Sequence, residues 1–358
     1  MKPGEPRTSP YLRTDVAAMA GYQPGEQPRP GERVVKLNTN ENPYPPSPAV
    51  LAAIREAASE NLKLYPRPLA DKARERAATV YGFAVDQVMV GNGSDELLAL
   101  AVRALVDPGE AFVYPVPTYS LYPVLAQIHG AKALEVPFPA DFSLPAELFG
   151  RTEPLAILCN PNAPSGTLVP ASEVRRLAES LSGVLVVDEA YVDFAEEDAL
   201  TLARELPNVM VLRSLSKSFS LAGLRVGLAF GPAALIDGLI KVKDSYNVDA
   251  LAAAGADAAL ADMEHMRANV AKVKTTRARL TAGLGELGLH PVPSQANFVF
   301  VRCGRGRVRE VYLKLKERGI LVRYFEDPCV EDGLRISVGT DAEVDQLLRE
   351  LAEVLAAR

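Results

Sequence analysis

Four short apolar runs limit what this chain can become: VMV (88–90), LAILC (155–159), VLVV (184–187) and VMVL (209–212). Each breaks off into polar or glycine-rich residues, GNGSDE, NPNAPSG, DEAY and RSLSK in turn. Helical periodicity fills the intervals, as in SDELLALAVRALV and ASEVRRLAESL, and it runs earlier through AVLAAIREAASENL and DKARERAATVYG. Uniformly apolar strands alternating with amphipathic helices predict a mainly parallel sheet covered on both faces. In such sheets ligands bind beyond the carboxyl ends of the strands. The four polar segments are therefore where chemistry is expected.

At 358 residues the chain exceeds one small core. The expected fold class is α/β: a large domain over 49–255, its mainly parallel sheet sandwiched by helices, plus a smaller α+β domain built from 31–48 and 256–358. A long Ala-rich helical stretch, roughly 250–288, leaves the large domain. ANFVFVR, the helix VREVYLKLKERG, ILVRYF, LRISVG and a last helix follow it. Residues 1–30 read as an N-terminal arm. The first 48 residues are rich in proline and end in LNTNENPYPPSP, a composition that cannot build a core alone and needs another surface to lie on, such as a partner subunit.

Net charge is −6 with acids and bases interspersed, which argues against a nucleic-acid or membrane partner. Cys159, Cys303 and Cys329 have no paired spacing, so neither a disulfide framework nor a zinc site is expected. His129, His265 and His290 lack metal-ligand spacing, and no GxSxG elbow is present. The opening MKPGEPRTSPYLR has no apolar signal core, and no uncharged run reaches the roughly 18 residues of a membrane span, so a cytoplasmic location is expected. Any chemistry is expected to borrow a cofactor rather than a metal.

GNGSDE opens a helix, where glycines and unpaired N–H groups suit a phosphate. The alternative is plain N-capping by Ser94, with Asp95 and Glu96 favouring the helix dipole. In DEAY, Asp188 follows four apolar residues, and a carboxylate there wants a cation, whether an arginine or a protonated pyridine nitrogen. Tyr191 stands beside it as a donor for a phenolate. Lys217, among the serines of RSLSKS at the next strand end, is either a solvated loop lysine or an amine kept for Schiff-base chemistry. Taken together, these are the parts a pyridoxal phosphate enzyme needs.

These residues, with PTYSLY, RSLSKSFSLAGLRVG, GILVRYF and GLRISVGT, resemble the histidinol-phosphate aminotransferase family, pyridoxal-phosphate-dependent aminotransferases of fold type I. The resemblance covers nearly the whole chain. It implies that Lys217 is the Schiff-base lysine and proton shuttle, that Asp188 keeps the ring nitrogen protonated, and that Tyr191 bonds the ring's 3-oxygen. Gly93, Ser94, Asp95, Ser214, Ser216 and Arg225 would form the phosphate cup, and Tyr119 would stack on the ring unless it is an ordinary core aromatic. Tyr65 would cross a homodimer interface to the partner's cofactor phosphate. Arg335 would fork onto the α-carboxylate of glutamate and the phosphate of histidinol phosphate. Arg323 and Tyr22 would add phosphate contacts, and Asn297 would lie at the mouth of the site. For both arginines the alternative is a surface salt bridge.

The chain departs from the family in NPNAPSG. The family often places an asparagine directly before the second proline, and here that position is Ala163. The expectation is that Asn162 or Asn160 approaches the ring oxygen instead, or that Tyr191 acts there alone. Rival readings are an aromatic-amino-acid aminotransferase or threonine-phosphate decarboxylase on the same scaffold, and a catalytically silent sensing module. The silent module predicts an attached DNA-binding domain or loss of Lys217. The arm is too short and Pro-rich for a helix-turn-helix, and Lys217 is intact.

Overall fold

The structure is a computed structural model that describes residues 9–29, 31–304 and 306–356; residues 1–8 and 30 of the expected arm, and 305, 357 and 358 of the expected smaller domain, lie outside the described residues. In chain order the strands are β1 (Val35–Lys36), β2 (Val88–Gly91), β3 (Ala111–Val116), β4 (Lys132–Pro137), β5 (Leu155–Cys159), β6 (Val184–Asp188) and β7 (Val209–Ser214). Then come β8 (Gly227–Phe230), β9 (His290–Pro291), β10 (Phe298–Arg302), β11 (Ile320–Leu321), β12 (Arg323–Tyr324) and β13 (Gly333–Ser337).

The central sheet has seven strands in the order β2-β8-β7-β6-β5-β3-β4. All neighbours are parallel except β8, which runs antiparallel to β2 and to β7. On β7, Val209 and Val211 enter one buried cluster, and Met210 and Leu212 enter the other. On β6, Leu185 and Val187 oppose Val186 in the same way. Burial on both faces explains why these strands read as unbroken apolar runs. A second sheet, β12-β13-β10-β9, is antiparallel, and β1 pairs with β11 in parallel. Among the described residues no helix is long and apolar enough to cross a membrane.

Local chemistry sets the helix ends. Ser47 accepts the Ala49 N–H and Pro48 occupies the first turn of helix Pro48–Ala57. The helical stretch expected over roughly 250–288 consists of two helices, Ala250–Ala261 and Met263–Glu286. The break falls at Asp262, whose carboxylate accepts the His265 N–H at 3.3 Å and the Ser47 hydroxyl. An aspartate that finds these donors favours the capping conformation over the helix interior.

One buried ion cluster braces the strand ends that matter. Arg213 on β7 reaches Glu189 at 3.1 Å, Asp198 at 2.9 Å and Asp193 at 3.5 Å, and its guanidinium lies 5.1 Å from the Tyr81 ring centroid. Asp193 in turn accepts the Ser218 hydroxyl, so the segments following β6 and β7 are tied together. The Glu189 side chain is fully buried, and that burial pushes its carboxyl up to about 7. Removing the cation strands a buried carboxylate. Arg213→Met is expected to lower stability by about 3–5 kcal/mol, read as a fall in the urea midpoint, with Arg213→Lys in between. A midpoint unchanged in Arg213→Met would remove the bracing role.

Candidate active site

The carboxyl ends of β5, β6 and β7 and the start of β8 share one edge of the sheet, and a pocket of about 930 Å³, its open mouth included, lies over it. Its walls bring together Tyr22, Ser94, Asp95, Tyr119, Asp188, Tyr191, Ser214, Ser216, Lys217, Arg225, Arg323 and Arg335 from distant parts of the sequence. Four other expected residues do not line it: Gly93, Tyr65, Asn162 and Asn297.

Asp188 ends β6 and is 2 % exposed. Its two oxygens accept the Tyr122 hydroxyl at 2.9 Å and the Ala190 N–H at 3.2 Å, and neither donor is a cation. Burial pushes the carboxyl up to about 6, against the hydrogen bond from Tyr122. Among the described residues, Lys217 Nζ donates to the Thr39 carbonyl alone, at 3.3 Å. Burial, and then the Arg335 and Arg225 charges, bring its amine down to about 8, against the pull of Glu41 and Asp95. The lysine backbone is pinned: Asn42 Nδ2 donates to the carbonyls of Lys217 and Ser218 at 3.0 and 3.3 Å. Tyr191 precedes the short turn Val192–Phe194, and burial holds its phenol at about 12.

Helix Gly93–Leu105 begins at the same edge. Its cap position is Asn92 rather than Ser94, because Glu96 reaches back to accept the Asn92 N–H. Gly93 sits behind the pocket wall, where a side chain is excluded: at φ +81° its Cβ would fall 2.6 Å from Arg225 Nη2. A Cβ on Gly227 would fall 2.6 Å from the Ser94 nitrogen. The two glycines bring the helix start, whose first N–H groups lack intrahelical acceptors, against the Ser214, Ser216 and Arg225 side chains. Asp95, expected in the phosphate cup, brings no side-chain donor to it. A carboxylate only accepts, and this one accepts the Tyr119 hydroxyl at 3.1 Å and pairs with Arg225 at 3.0 Å.

Asn162 and Asn160 do not approach the pocket. Asn162 bonds Ser165 in its own loop and Thr118 and the Pro117 carbonyl in the segment after β3, and Asn160 bonds both backbone groups of Val169, so each amide is used up away from the pocket. The amide beside the Tyr191 hydroxyl is instead Asn40 Nδ2, at 3.2 Å. Asn297 supports from behind, donating to the Asn40 carbonyl at 2.9 Å while its Oδ1 has no partner. Tyr65 is 80 % exposed and stacks on Tyr246 at 4.5 Å.

Sequence reasoning also missed Tyr122, Asn40 and Phe325. The spacing PTYSLY and the asparagines of LNTNENP were visible, but nothing local marked which of them turn inward. Phe325 lies under both Arg323 and Arg335, 5.4 and 5.5 Å from their guanidinium carbons. Arg335 donates to the Asn38 carbonyl at 3.0 Å, yet its buried Nε has no acceptor. Arg323 donates to the Gln23 carbonyl at 3.4 Å.

The arrangement fits a flat, phosphorylated, cationic ring bearing an aldehyde. Among the described residues the buried acid bonds no cation, the amine bonds no carboxylate, and the Arg335 Nε finds no acceptor, which are the partners such a group carries.

Residues 32–351 match the family of class I and II aminotransferases. The chain is 50% identical over 346 residues to histidinol-phosphate aminotransferase 1 of Trichormus variabilis, covering 96% of this chain and 99% of that one. Among solved structures it is similar to histidinol-phosphate aminotransferase from Sinorhizobium meliloti in complex with pyridoxal-5'-phosphate, with TM-score 0.82 and 30% identity over 90% of this chain and 91% of that one. A Thermus thermophilus aspartate aminotransferase double mutant shares the fold, with TM-score 0.80 at 23% identity over 96% and 99% of the two chains. The family match, the shared fold and relatives across nearly the full length agree: the chain belongs to the class I and II aminotransferases.

Proposed function

We propose that this transaminase exchanges the amino group between L-histidinol phosphate and 2-oxoglutarate, giving imidazole acetol phosphate and glutamate, as a step of histidine biosynthesis. The observation that carries the reading is the pair Arg323 and Arg335 on one pocket wall, with the buried Arg335 Nε lacking an acceptor. Planar guanidiniums suit both a carboxylate and a phosphate. The names of the relatives at this identity support the same substrate.

The cofactor is pyridoxal 5'-phosphate, which supplies an aldehyde for amines and an electron-withdrawing ring. Lys217 holds it and moves the proton at the substrate Cα. Asp188 favours a protonated ring nitrogen, Tyr191 donates to the ring oxygen with Asn40 behind it, and Tyr119 flanks the ring. The Ser94 and Asp95 N–H groups, Ser214, Ser216 and Arg225 take the phosphate, with Asp95 aligning Arg225. Tyr22 adds to the substrate-phosphate wall. The domain division given by the sequence and a cytoplasmic location belong to the same proposal. So does a homodimer, because Tyr65 lies with Leu62 and Leu64, 52 % and 63 % exposed, on a surface suited to a second copy.

Lys217→Ala is expected to lose transamination by several orders of magnitude. In cofactor-free protein, acylation of Lys217 followed by peptide mass spectrometry should quicken with pH and level off above about 8, well short of the ordinary 10.5. A plateau at the ordinary value, or turnover retained in Lys217→Ala, would overturn its role.

Asp188→Asn should cut kcat heavily while sparing the cofactor-free fold. Because burial raises this acid from 3.8 to about 6, its ionisation costs the empty fold stability as pH rises through that window. The asparagine variant should therefore be no less stable at pH 8. Wild-type kcat in Asp188→Asn would move the electron-sink role elsewhere.

Arg335→Lys should weaken kcat/KM for glutamate and histidinol phosphate alike, by roughly 1.5–3 kcal/mol. Arg323→Ala should penalise histidinol phosphate far more than phenylalanine, measured by single-turnover spectroscopy of each half-reaction. Equal losses for both donors would favour the aromatic-amino-acid aminotransferase reading.

A further inference from the structure

We infer that Tyr122 is a positioning residue for Asp188, its buried hydroxyl holding the carboxylate ionised and fixing the direction it faces. This role rests on, and deepens, the proposal that Asp188 lies opposite the cofactor's ring nitrogen. A carboxylate in that place is useful only when charged, and its surroundings disfavour charge.

Tyr122 lies one helical turn beyond Tyr119, in the first turn of helix Leu121–His129. Tyr119 faces the pocket, whereas Tyr122 is completely buried behind it. Its ring is wedged edge-on between Tyr114, at 5.4 Å between centroids, and Tyr119, at 5.8 Å. Held by that wedge, the hydroxyl donates to Asp188 Oδ2 at 2.9 Å, and the Ala190 N–H serves Oδ1.

The other groups around the carboxylate give no such help. Cys159 is its register partner on β5, and the thiol turns to the Pro161 carbonyl at 3.4 Å. Leu212, the register partner on β7, is apolar. Asp95, on helix Gly93–Leu105, is a like charge that opposes ionisation, and the Tyr191 hydroxyl, which accepts the Asn40 Nδ2–H, makes no bond to the carboxylate among the described residues. Among the described residues, Tyr122 is the side-chain donor bonded to this carboxylate. Without it a buried charge keeps one backbone N–H.

The test titrates Asp188 in cofactor-free protein by carbon-13 NMR of labelled aspartate carboxyls, with the signal assigned by its loss in Asp188→Asn. Tyr122→Phe removes one oxygen and keeps the wedge, and it should raise the Asp188 midpoint by about 1–2 pH units. The acidic limb of the kcat profile should move upward with it. Tyr114→Phe, whose hydroxyl bonds Glu135 instead, should leave the midpoint in place. If Tyr122→Phe does not fold, 3,5-difluorotyrosine installed at position 122 is a stronger donor and should lower the midpoint. An unmoved midpoint in folded Tyr122→Phe, or the same shift in Tyr114→Phe, overturns the inference. A moved midpoint with a kcat profile that does not follow it supports the hold on Asp188, and instead overturns the placement of Asp188 opposite the ring nitrogen.

Discussion

Two opposite charges stand at neighbouring strand ends without neutralising one another. Asp188 is bonded to a tyrosine and a backbone N–H, and Lys217 to a backbone carbonyl. Burial drives the acid up to about 6 and the amine down to about 8, so between those values both carry charge in surroundings that resist it. For the acid, stability is lost as pH rises; for the amine, it is lost as pH falls. Much of the surrounding architecture keeps this costly pair in place. The parallel strands set the spacing, the Arg213 cluster ties the two following segments together, and Asn42 pins the lysine backbone. A ligand that satisfies both charges stabilises the fold by mass action as well as being held by it.

Much of this was legible in the sequence. Strands buried on both faces must be apolar throughout, and a chain leaving such a strand must turn polar, so VLVVDEAY and VMVLRSLSK announced both a strand and a ligand edge. Less legible were elements whose residues obey weaker constraints. β4 is partly exposed and β8 is four residues long, so neither shows a long apolar run. The helix break at Asp262 depends on Ser47, more than two hundred residues away in the sequence, and no local window contains both.

The site shows the same division. Lys217, Asp188 and Tyr191 were visible because each interrupts a pattern. Asn40, Asn162 and Tyr122 were misjudged or passed over because an amide or phenol gives no sign in sequence of which partner it will find. NPNAPSG looked like a supplier of polar groups to the pocket, yet its asparagines tie the loop to itself and to the segment after β3, while the proline-rich segment around Asn40 became a wall. That segment is also anchored to the antiparallel sheet, since the Asn40 N–H and carbonyl bond Ser337 and Asn297.

The reversed direction of β8 has a mechanical result. Because β8 runs back beside β7, the chain between them leaves and re-enters the sheet at the same edge, with Ser214 opposite Gly227 and the Leu215 N–H on the Val226 carbonyl at 3.0 Å. The stretch carrying Lys217 and Arg225 is thus a loop shut at its base, like a buckle rather than a flap. A parallel strand in that position would have required a long crossover and left the lysine on a free-running connection. The loop is fastened to the sheet at both ends. The positions of the amine and of the guanidinium are therefore carried by the sheet's own hydrogen bonds.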